Sequence, residues 1–166
     1  MNSFSPISII SFITLVLGQV LLFNHLHIFG SINPIIYLLF FVFYRFESNQ
    51  TFLILLSFLI GFSVDILSQS GGAHTIASLT IGFLRPLIIK YAFGVTVETP
   101  LSYFSDSRTL NKLVFLILLI AIHHLIYFSL VYFSFDSILL IIKNMFLTLL
   151  FSLILIGITL SFYPNK

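Results

Sequence analysis

Residues 113–133 read LVFLILLIAIHHLIYFSLVYF, without a single Asp, Glu, Lys or Arg. A helix crosses the roughly 30 Å hydrocarbon core of a bilayer in about 20 residues, so this stretch is long enough to span it. Inside lipid the backbone must bond to itself, and a spanning segment is therefore a helix or part of a closed barrel. Barrel strands alternate apolar and polar residues over roughly 10 positions. This stretch is apolar on every face, which predicts a helix.

The same pattern recurs on both sides. Apolar runs cover residues 7–23, 51–67, 73–93 and 138–162, with a shorter one at 32–44. Over all 166 residues, hydrophobic side chains make up 59% and charged ones 7%, with a mean hydropathy of +1.17. A water-soluble domain carries about 25% charged residues, so this chain has too few to coat a surface facing water. The expected fold class is an all-α membrane protein, one transmembrane domain over residues 1–166 built as a bundle of about six helices. No Lys or Arg precedes the first run and no small-residue cleavage site follows it, so it reads as a retained span rather than a signal peptide. The 32–44 run is short. Counted from Pro34 it would give about 13 residues, or about 20 Å of helix. It begins below the membrane surface or takes in part of the polar patch before it, and Pro34 suits a helix start, where its missing N–H costs nothing.

Basic residues set the expected orientation. With six spans and a cytoplasmic N-terminus, the inner ends hold Arg45, Lys90, Arg108, Lys112 and Lys166. The outer loops then hold no Lys or Arg, and Lys143 lies a few residues into the last span. Both termini are therefore expected in the cytoplasm. The net charge of +2 is too small to argue for nucleic acid. Cysteine is absent, which removes disulfides, thiolate metal sites and cysteine nucleophiles.

A few polar residues lie within the apolar runs. Asp65 is one, and a carboxylate at membrane depth costs about 2.5–3.5 kcal/mol on insertion scales. It needs a partner or a neutralising proton. Gly61, one turn earlier on the same face, lets a neighbouring helix backbone come close. Asp65 reads either as a proton or ion site or as a polar contact that fixes packing, and packing is the expected role. His74 is its natural partner, because Asp65 and His74 flank the 68–72 hairpin and antiparallel helices return to the same depth. Two ligands are too few for a typical zinc site. Arg85-Pro86 interrupt the fourth run. Arg85 is expected to snorkel inward or to bond carbonyls freed by Pro86, and Arg85 with Lys90 forms a stripe suited to inner-leaflet anchoring, or else to lipid phosphate or an acidic partner surface. His123 and His124 point about 100° apart on a helix and cannot chelate one ion from one face. An interhelical hydrogen bond is expected there, with Tyr127 as a candidate partner of His123. No HExxH, GxSxG or phosphate-binding loop occurs, and no aspartate pair has the spacing of an intramembrane protease. No catalytic residue, metal or cofactor is expected.

Taken in order, Gly61-x-x-x-Asp65, then Gly72-x-His74, then Phe83-x-Arg85-Pro86 resemble the rod shape-determining protein MreD family. Asn24, Gly30, Pro34 and Tyr37 also resemble that family's first hairpin, as do His123-His124 with Tyr127-Phe128. The resemblance covers nearly the whole chain. Thr75 stands where the family pattern has alanine, and Val131 where it has an acidic residue. The resemblance implies a non-enzymatic subunit of the bacterial cytoplasmic membrane that binds MreC. With MreC it would couple the MreB filament to RodA and its transpeptidase partner, and so to peptidoglycan synthesis and cell shape. The resemblance also implies an architecture similar to the substrate-binding subunits of energy-coupling-factor transporters. A small-molecule-binding subunit of that type is the alternative, and it would need a polar pocket open to the outer side. A lipid-processing enzyme is a third reading, with no visible nucleophile or metal set to support it. Gly61, Asp65, Gly72, His74, Arg85, Pro86, His123 and His124 are the candidate structural or partner-binding residues, together with the 94–111 loop.

Overall fold

The computed structural model describes residues 6–29, 32–44, 50–94, 109–133 and 135–162. Its elements are α1 (Pro6–Leu21), the short α2 (Leu39–Phe43), α3 (Gln50–Ser68), α4 (Ala73–Phe93), α5 (Thr109–Tyr132) and α6 (Ile138–Ser161). The last four are 19, 21, 24 and 24 residues long, with mean hydropathies of 2.1, 1.4, 2.5 and 2.4. At 1.5 Å per residue each reaches about 28 Å or more, enough to cross a bilayer. Their outward faces are apolar: Ile66, Phe83 and Leu139 are 60%, 63% and 80% exposed. Lipid, not water, suits such a surface, and this is the construction of a helical membrane protein.

Packing follows chain order, α3 on α4, α4 on α5 and α5 on α6, while α1 lies on α3 and α2. The α3–α4 pair is the tightest. A Cβ on Gly61 would stand 2.6 Å from the His74 carbonyl oxygen and from the Thr75 Cα, so only glycine lets the two backbones come this close. Between them the chain turns through Gln69, Gly71 and Gly72, with φ of +53°, +69° and +93°. Gly71 and Gly72 adopt these angles without steric cost. Helix α4 ends on Gly94 at φ +71°, whose N–H returns to the Lys90 carbonyl at 2.8 Å.

Pro86 lies inside α4 and has no N–H to offer the carbonyl of Gly82 four residues back. Gln50, at the start of α3, fills that role by donating Nε2–H to the Gly82 oxygen at 2.8 Å. The carbonyl freed by Pro86 thus goes to Gln50, not to Arg85, for which it was one of the two expected roles.

The second run departs furthest from expectation. Residues 32–44 are not a lipid-facing span, and Pro34 starts no helix. The chain leaves α1, makes one 3-10 turn at Phe23–His25, and reverses where Ile28 and Ile32 exchange both backbone hydrogen bonds at 2.9 and 3.0 Å. It then enters the bundle as irregular backbone and becomes helical only at Leu39. Tyr37, Leu38 and Phe41 are fully buried. Their burial is inside protein, which explains why a run too short to cross the membrane is nonetheless almost wholly apolar. The remaining run boundaries agree with the helices to within a few residues, α5 starting earliest, at Thr109.

Replacing Gly61 by valine should force α3 from α4 and cost about 1–3 kcal/mol, as overpacked cores do. Gly18, with nothing within 4 Å of its would-be Cβ, should tolerate alanine. Thermal unfolding of the two variants in the same detergent tests the contrast, and equal midpoints would contradict the close approach.

Candidate functional site

Asp65 lies at the end of α3, beside the start of α4. Its Oδ1 accepts hydrogen bonds from the Ser70 hydroxyl at 2.5 Å and the His74 N–H at 3.2 Å. Its Oδ2 accepts from the Thr75 N–H at 2.7 Å and the Thr75 hydroxyl at 2.5 Å. Gly72 is the residue before α4 and has no side chain to cap it. Asp65 therefore does the capping from the preceding helix, taking two of the N–H groups that every helix start leaves unpaired. Its charge also faces the positive end of the α4 dipole. The expected contact between the carboxylate and His74 is made, but through the His74 backbone.

The His74 ring turns inward instead. Its Nδ1 shares a hydrogen bond of 3.0 Å with the hydroxyl of Tyr37, and the Nε2 of His123 shares one of 2.7 Å with the same hydroxyl. Ser78 donates to that oxygen at 3.2 Å. Tyr37, His123 and Ser78 are fully buried and His74 is 3% exposed. A phenol has one proton to give. Tyr37 can donate to only one of the two histidines, so the other must donate an N–H to Tyr37. The two rings thus hold opposite roles around one oxygen. The His123 partner is Tyr37, not Tyr127. The Tyr127 ring lies against both imidazoles instead, with centroids 4.4 Å from His74 and 6.4 Å from His123.

Adjacent His124 faces the other way. Its Nε2 meets the Ser152 hydroxyl of α6 at 3.2 Å, and that oxygen also accepts the Ile35 N–H at 2.9 Å. Gln19 of α1 completes the grip on this segment, accepting the Ile36 N–H at 2.7 Å and donating to the Pro34 carbonyl at 3.2 Å. At the far end, Arg85 donates Nε–H to the Phe41 carbonyl and Nη2–H to the Tyr44 carbonyl, both at 2.6 Å, with its guanidinium 5.8 Å from the Tyr44 ring centre. Arg85 is 3% exposed while Lys90 is exposed, so the expected Arg85–Lys90 stripe does not form.

All these contacts share one target. Residues at the α3–α4 hairpin and the histidines of α5 converge on the 34–44 segment, as does Arg85 from the opposite end. Gly61, Asp65, Gly72, His74 and His123 form one connected set through Tyr37. His124 and Arg85 reach the same segment separately, and Pro86 is tied to Gln50. Gln19, Ser152 and Gln50 were not singled out from the sequence. Gln19 could have been, as an amide inside an apolar run. Ser152 carries no such signal, since serine is common in membrane helices. The 95–108 part of the expected partner-binding loop lies outside the described residues.

Beside this set, at the hairpin end of the bundle, is a cavity of about 440 Å³. Its wall includes Asn24, Asn33, Ser68, His74 and Tyr127. Hydrogen bonds fix its amides: Asn24 accepts from Gln19 at 2.8 Å and donates to Ser68 at 2.7 Å, while Asn33 Oδ1 accepts the His27 N–H at 2.9 Å. Among the described residues, no group of three His, Cys, Asp or Glu could hold a metal ion.

The geometry predicts that Asp65→Asn behaves almost as badly as Asp65→Ala. Each carboxylate oxygen takes one backbone N–H, so an amide nitrogen in either position leaves one unanswered, at about 1–3 kcal/mol. Thermal stability of the purified variants decides this, and an Asn variant as stable as wild type would contradict the cap. Arg85→Lys should also destabilise, because one ammonium cannot reproduce a planar fork set on two carbonyls. Amide exchange at residues 41–44 should rise in that variant, and unchanged protection would count against the grip.

No protein-family model, curated protein or solved structure matches this chain.

Proposed function

We propose that this chain is a non-enzymatic membrane subunit of the bacterial cell-elongation machinery. In this reading it is of the MreD type, crosses the cytoplasmic membrane about six times and keeps both termini in the cytoplasm. It binds MreC and helps couple MreB filaments to RodA and its transpeptidase partner. The observation that supports this is the fate of the ordered polar residues. Gly61, Asp65, His74, Arg85 and His123 are occupied with one another, with backbone groups and with Tyr37. They build a rigid body with a defined shape and leave their polar groups little freedom for turnover. A scaffold needs such rigidity, because a partner must recognise a fixed surface. Deleting the gene from its own rod-shaped host is expected to give rounded cells, and the tagged chain is expected to bring down MreC. Rods that persist after deletion, with no MreC recovered, would sink the proposal. Asp65→Ala, which releases the start of α4, is expected to lower accumulation or MreC recovery, and recovery at wild-type yield would count against that.

A second reading, a small-molecule-binding subunit of the energy-coupling-factor type, is favoured by the cavity at the hairpin end. It predicts co-purification with an ATP-hydrolysing module and uptake of a solute that depends on this chain. Loss of uptake on deletion, with cell shape intact, would select it over the first.

A further inference from the structure

Among the described residues, no Asp, Glu, Lys or Arg lines the 440 Å³ cavity, and its ionisable wall is made of His25, His27, His74 and Tyr127. A cationic solute entering here would leave water without meeting a carboxylate in the wall, which is costly. The wall is nevertheless rich in hydrogen-bonding groups. Asn24, Asn33 and Gln69 are amides, each carrying donors and an acceptor side by side. Asn24 is held by Gln19 and Ser68, and Asn33 by the His27 N–H, so two of the three are oriented before anything binds. Such preorganisation lowers the cost of recognition. Tyr127 and Phe128 supply flat aromatic surface beside them. Exposed Gln69 and His25 at the rim open the cavity to that end of the bundle. Its volume falls within the roughly 300–1,000 Å³ of typical ligand pockets and suits one or two substituted six-membered rings.

We propose that this cavity binds an uncharged polar ring compound bearing hydroxyl and amide groups, of which an acetamido sugar is the simplest case. Amides answer its hydroxyls and its acetamido group, the aromatic wall takes the apolar face of the ring, and the absence of a lining carboxylate disfavours basic analogues. The same headgroup could arrive as a free solute or on a lipid, since the chemistry recognised is identical. The inference holds whether the chain is a scaffold or a transporter subunit, because binding is measured on the chain alone.

The test uses the full chain in phosphatidylcholine nanodiscs, prepared without sugar-headed detergent. One arm titrates free N-acetylglucosamine by calorimetry, with glucosamine and galactosamine as charged, cationic controls. The other supplies N-acetylglucosamine on an octyl chain within the nanodisc. Saturable binding is expected in at least one arm, and the arm that responds identifies a solute or a lipid source. The charged controls should bind at least about tenfold more weakly. Tyr127→Ala should weaken binding by about tenfold, the loss of one well-placed stacking surface. His25→Ala should weaken it as well, and because His25 is exposed this variant keeps the fold. Absence of saturable binding in both arms would overturn the proposal. So would charged controls that bind equally well, or wild-type affinity in both variants.

Discussion

The backbone of residues 34–44 lies inside a bundle that excludes water, and most of it has no helix to bond it. Every N–H and C=O there needs a partner from elsewhere, because an unsatisfied group in such surroundings costs several kcal/mol. The Ile35 and Ile36 N–H groups go to Ser152 and Gln19, and the Phe41 and Tyr44 carbonyls go to Arg85. Between them, the N–H groups of Leu39, Phe40 and Phe41 close tight turns onto the carbonyls three residues back. The partners come from α1, α4 and α6. Three helices are thereby tied to one irregular segment, whose apolar side chains join theirs in a single core.

The same constraint explains the polar residues that stand at membrane depth. Arg85 would be expensive as an isolated cation, but the two carbonyls at the end of the buried segment are charge-accepting dipoles, and charge-assisted bonds are the strong ones. Asp65 solves the complementary problem at the other end of α4. Its carboxylate replaces the cap that Gly72 cannot give, while Gly72 gives the backbone angle that a capping residue could not adopt at φ +93°. The cap fixes the first turn of α4, the first turn carries His74, and His74 meets Tyr37. A disturbance at Asp65 is therefore felt three links away, at His123.

Much of this was legible in the sequence, and the failures share one cause. Hydropathy located α3 to α6 to within a few residues because lipid-facing and core-facing positions are both apolar. For that same reason it could not separate the 32–44 segment, buried in protein, from a helix buried in lipid. Its short length was the only clue. Polar residues within and beside the apolar runs stand out in the sequence, but their partners do not. Asp65, Arg85 and Gln50 all bond to backbone atoms, and backbone groups leave no mark in a sequence. The Asp65 to His74 contact was placed by antiparallel depth, and the depth was right. Side-chain pairing was the wrong step, because the helix start offers two N–H donors nearer to hand.

The hydrogen-bond parity at Tyr37 bears on what the buried histidines can do. One phenol proton between two imidazoles admits two arrangements, with His74 as donor and His123 as acceptor, or the reverse. Both are neutral, so exchanging them moves no net charge into the low-dielectric core. The chain of bonds from His74 through Tyr37 to His123 transmits orientation: whatever sets the His74 ring at the cavity wall sets the direction of the Tyr37 hydroxyl and the tautomer of His123. These polar side chains thus belong to a device that fixes geometry.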